Sequence, residues 1–117
     1  MSAVRYTILI EQGSTLRFPI GVTNPDTNTP WDLTGCTARM QIRPSIASPE
    51  IIHTLTTENG GLTIDGAEGV IMVEIDATTT AGFDFKAAVY DLELEKPGGD
   101  VIRLIEGKVK LSLEVTR

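Results

Sequence analysis

Hydrophobic and polar residues alternate along most of this chain. Leu16, Phe18, Ile20 and Val22 alternate with Thr15, Arg17, Pro19 and Gly21. Ala38, Met40 and Ile42 alternate with Thr37, Arg39, Gln41 and Arg43, and Ile71, Val73 and Ile75 with Met72 and Glu74. A period of two sends successive side chains to opposite faces, so each run predicts a half-buried β-strand. Tyr6 to Ile10, Ile51 to Thr56 and Leu62 to Ile64 are shorter strand candidates. The last third is the strongest. Ala87 to Glu95, a Pro97-Gly98-Gly99-Asp100 turn, and Val101 to Arg117 read as a long hairpin. Val109, Leu111, Leu113 and Val115 carry its second arm almost to the last residue.

Turn residues separate these runs. Glu11 to Ser14, the polar loop Asn24 to Pro30, Ser45 to Glu50 and Asp65 to Gly69 break the pattern. Asn59-Gly60 carries the signature of a tight hairpin turn. Pro19 lacks a ladder donor, which places its strand at an edge or a bulge. Asp76 to Gly82 is the one helix candidate, a single turn capped by Asp76 and ended by Gly82. The sum is about seven short strands with at most one helical turn. That pattern belongs to an antiparallel sandwich or barrel, and immunoglobulin-like sandwiches have this size. With 117 residues, the expectation is a single β-sandwich domain over 1–117.

Register in the last hairpin is less constrained. Pairing Tyr90 with Val109 and Leu94 with Ile105 keeps apolar residues on one face. It sets Asp91 opposite Lys108 and Glu93 against Glu106, with Gly107 as the place for a relieving bulge.

Charge narrows the function classes. Sixteen acidic and ten basic residues give a net charge of −6. A sequence-independent nucleic-acid binder wants a basic surface, so nucleic acid is not an expected partner. No run approaches a membrane helix, and Met1 to Arg5 lacks a signal peptide's apolar stretch. Synthesis in a cytosol and no membrane association are expected.

Reactive constellations are not evident. Cys36 is the single cysteine and reads as a small, partly buried apolar residue. His53 is the single histidine, in a mildly apolar strand, and reads as a boundary residue rather than a base. One His and one Cys do not make a zinc site of usual composition. Asp91, Glu93 and Glu95 share one strand face, which suits acid–base chemistry but equally suits a solvent face. Asp65 to Glu68 lacks the spacing of a calcium loop. No catalytic, cofactor or metal residue is assigned, and no enzymatic activity is expected. Five residues are candidates for contact with a partner. Trp31 is an aromatic anchor at a loop-to-strand junction. Arg39 and Arg43 share a strand face, and Asp91 and Glu93 share another.

Two stretches resemble a known class. Trp31-Asp32-Leu33-Thr34-Gly35-Cys36-Thr37-Ala38-Arg39-Met40-Gln41-Ile42-Arg43 is similar to the opening of a strand in small immunoglobulin-like domains of tailed bacteriophages. Ala88 to Leu94, with Arg103 to Val109 and Val115-Thr116-Arg117, resembles their closing hairpin. The nearest likeness is to the N-terminal domain of phage upper baseplate (tail-associated) proteins. It runs from the Leu16 strand to the end and rests largely on fold signatures. It implies an immunoglobulin-like sandwich in a non-enzymatic virion structural protein, made in the host bacterial cytoplasm. Its partners would be other virion proteins, met in symmetric copies, without a cofactor. With no receptor-binding or coiled-coil segment after Arg117, a tail or baseplate adaptor is expected first and a capsid decoration (cement) protein second. A carbohydrate-binding module is the rival from another class, with Trp31 and the tyrosines as stacking surfaces.

Overall fold

The computed structural model describes residues 4–24 and 26–116. Pro25 of the polar loop and Arg117 of the closing arm lie outside them, as do Met1 to Ala3 of the leader reading. Eleven strands and one helix follow in chain order: β1 (Val4–Arg5), β2 (Ile8–Glu11), β3 (Leu16–Gly21), β4 (Thr23–Asn24), β5 (Thr29–Pro30), β6 (Thr37–Arg43), β7 (His53–Thr56), β8 (Leu62–Asp65), β9 (Val70–Ile75), α1 (Ala77–Ala81), β10 (Ala87–Glu95) and β11 (Val101–Ser112). The described residues are all-β apart from α1.

The larger sheet has the order β1-β11-β10-β6-β7, with β2 beside β11 on the same edge as β1. The smaller sheet is β3-β9-β8, and β4 and β5 form a separate two-stranded ladder. β6, β9 and β10 bury alternate residues, as their period predicts. In β10, Ala88, Tyr90, Leu92 and Leu94 point inward. Ala38, Met40 and Ile42 of β6 and Ile71, Val73 and Ile75 of β9 join them in one core shared by both sheets. The expectation for Pro19 holds, because β3 is the edge of its sheet.

Four expectations are corrected. First, the strands are not all antiparallel. β1 and β2 run parallel to β11. Second, Asn59-Gly60 does not close a hairpin. β7 pairs with β6 and β8 with β9, so this turn carries the chain from one sheet to the other. Asn59 holds it from its side chain, accepting from Thr56 N and Gly61 N and donating to Thr54 O, each at 2.9 Å. That is local stabilisation of a turn, which Asn-Gly supplies whatever the strands on either side do.

Third, the closing hairpin is slipped by two residues as far as Leu92 and by three beyond the bulge: Tyr90 lies opposite Gly107, Asp91 opposite Glu106 and Leu92 opposite Ile105, but Leu94 opposite Ile102. A two-residue slip leaves every side chain on the same face, so hydrophobic patterning does not select between the registers. The bulge sits between Leu92 and Glu93 rather than at Gly107, and leaves Leu104 as the extra residue. Leu104 and Ile105 are consequently both buried. Fourth, β11 stops at Ser112, and Leu113 and Val115 are 70% and 93% exposed. Their pairing strand has already ended, because Glu11 is the last residue of β2 and faces Ser112. Gln12 then ties the turn down, its Oε1 accepting from Glu114 N and its Nε2 donating to Phe83 O.

The helical turn forms as expected. The Asp76 carboxylate accepts from Thr79 N at 2.8 Å, and Gly82 ends the turn. Its Thr80 is fully buried and bridges to the β2–β3 turn. The hydroxyl donates to Ser14 O at 2.8 Å and accepts from Gly13 N at 3.1 Å. Thr80→Val keeps the shape but strands both backbone groups, and is expected to cost about 1–3 kcal/mol by urea unfolding. Thr80→Ser should retain most of the stability. Equal losses for Val and Ser would show that packing, not the hydroxyl, matters there.

Candidate interaction face

The outward residues of β6, β10 and β11 line a groove of about 650 Å³ on the larger sheet. Its floor follows from strand register. Arg39 of β6 faces Glu93 of β10, which faces Arg103 of β11. Arg39 Nε donates to Glu93 Oε1 at 2.9 Å, and Arg103 lies 3.4 Å from Asp91 Oδ2 and 3.6 Å from Glu106 Oε2. These pairs are half-exposed and screened by water, so they add little to stability. Their effect is to order a row of long side chains.

Arg43 is committed differently. Its guanidinium donates to Ser48 O at 2.9 Å and to Gln41 Oε1 at 2.8 Å. That holds the β6–β7 loop against the groove, and Ile46 stands on its lip 90% exposed. Arg5 of β1 and Lys108 of β11 close the opposite side. Neither makes an ion pair among the described residues.

Four of the five sequence candidates therefore come together: Arg39, Arg43, Asp91 and Glu93. Trp31 does not. It is half-buried elsewhere, with the Lys96 ammonium 4.6 Å from its ring centroid. Arg5, Arg103, Glu106 and Lys108 were missed. In a regular strand Arg103 and Lys108 point to opposite faces; only the extra residue Leu104 brings both outward.

Asp91 sits in an unfavourable place. Burial raises its pKa first, and the charges of Glu93 and Glu106 add to this, against the pull of Arg103 and Arg43. A carboxyl whose folded pKa lies above its unfolded value favours the fold when protonated. That stability is present below the unfolded pKa and is lost as pH rises through the folded one. Asp91→Asn is thus expected to raise Tm at neutral pH, with the gap closing in acid. A lower Tm for Asn at neutral pH would mean that the attraction to Arg103 dominates.

Other candidate residues take structural places. His53 is half-buried edge-on to Phe83, at 5.9 Å between centroids, and burial lowers its pKa. Cys36 is a half-buried free thiol. Among the described residues, no group of three or more His, Cys, Asp or Glu is placed to hold a metal ion. Among the described residues, no helix is long and apolar enough to cross a membrane. Compared with protein-family models and with curated proteins, the sequence has no match.

Proposed function

We propose that this chain is a non-enzymatic structural protein of a tailed-phage virion, an immunoglobulin-like adaptor docking on other virion proteins in the tail or baseplate. One observation carries this reading furthest, the strand order. One sheet pairs the N-terminal segment with the closing hairpin, β6 and β7, while β3, β9 and β8 make the other. A division of the strands between two sheets around one core supports an immunoglobulin-like reading. The parts that resemble phage domains, β6 and the β10–β11 hairpin, are adjacent in the larger sheet and build the groove.

The state of the acidic stripe supports a binding role. Asp91 and Glu93 are engaged by arginines rather than left facing one another across a cleft. Lys96 occupies one face of Trp31, which weighs against sugar stacking there. Cryo-EM of intact particles, with mass spectrometry of purified virions, tests the proposal. Density for a domain of 46 × 28 × 24 Å in the baseplate or tail is expected. Density on the capsid would move the protein to the decoration role. Absence from virions would sink the reading.

A further inference from the structure

The groove is cationic on an acidic chain. Five of the ten basic residues line it, Arg5, Arg39, Arg43, Arg103 and Lys108, against three of the sixteen acidic ones. Three of these arginines are held by neighbours, but Arg5 and Lys108, at its rim, make no ion pair among the described residues. The complementary surface lies on the same molecule. Leu33 N donates to Gly66 O and Val22 N to Gly69 O, seating the loop after β3 on the β8–β9 turn. This brings the exposed Asp32 beside the exposed Asp65 and Glu68, an acidic end to the β8–β9 turn. Lys96, the basic side chain beside them, is drawn over Trp31.

We infer that the groove receives the acidic end of a second copy of this chain, so that copies join head to tail. The two patches share no residue; a head-to-tail contact uses one patch of each copy and leaves the other two open, so it continues into a ring or a filament rather than a closed twofold dimer. The inference does not rest on the virion reading and is tested without particles.

The experiment is sedimentation velocity of the purified chain over a concentration series, at low and at high salt. Concentration-dependent species beyond the dimer are expected at low salt and should dissociate at about 1 M salt, where the Debye length is about 3 Å. Lys108→Glu and Glu68→Lys, both at exposed positions, should each weaken association about tenfold or more. Far-UV circular dichroism checks that both fold. Mixing them is decisive. The first keeps a working acidic end and the second a working groove, so the mixture should form a one-to-one dimer and grow no further. A wild type that stays monomeric at low salt overturns the inference. So does a closed dimer, or assembly that either charge reversal leaves unchanged.

Discussion

Gly107→Ala is expected to cost roughly 2–5 kcal/mol, from overpacking and a broken buried hydrogen bond together. A Cβ at Gly107 would collide with the Tyr6 carbonyl oxygen, which occupies the space the glycine leaves. That carbonyl accepts from the Tyr90 hydroxyl at 2.8 Å, and Tyr6 N donates to Glu106 O at 3.0 Å. Burial raises the Tyr90 pKa, so the phenol remains a donor across the physiological range. Moving Tyr6 therefore loosens β1 and β2 from β11 and strands a buried hydroxyl at once. Tyr90→Phe alone should cost about 1 kcal/mol. The double variant should lose less than the two single losses combined, because both act through the same carbonyl. Urea unfolding of the four proteins measures this. Strict additivity, or a loss below about 1 kcal/mol for Gly107→Ala, would falsify the coupling.

Leu92→Ala should be comparably damaging. Leu92 is fully buried and lies at the middle of β10, with Ile105 on one side and Met40 on the other. Truncating such a residue removes its transfer free energy and leaves a cavity, about 2–5 kcal/mol in total. Its neighbour Glu93 faces the groove, and Glu93→Ala should cost under about 1 kcal/mol. The contrast between adjacent residues tests which face of β10 is the core. Similar losses for both would contradict it.

How much was legible differs from element to element. β6, β9 and β10 were readable because alternation is imposed by the pleat itself and needs no partner to be seen. The Asp76 cap and the Gly98-Gly99 turn were readable for a similar reason, since their hydrogen bonds are local. Asn59-Gly60 is legible as a turn but not as a switch between sheets, because a turn's chemistry does not state which sheet the next strand joins. The groove was half legible. Arg39, Arg43, Asp91 and Glu93 announce themselves by parity on regular strands, whereas Arg103 and Lys108 fall on one face only through the Leu104 bulge.

By itself, the sequence determined that this is a β protein, which faces of its long strands are apolar, and where most turns fall. Those properties follow from side-chain period and local hydrogen bonding. Tertiary structure alone decided the hairpin register, the parallel docking of β1 and β2, and the stop at Ser112. Each depends on a contact between residues far apart in the chain, such as the Tyr6 carbonyl against Gly107 and Tyr90. A two-residue slip costs hydrophobic patterning nothing, so only that packing discriminates. The same register, with its one extra residue, collects five basic side chains in a single groove on a chain of net negative charge.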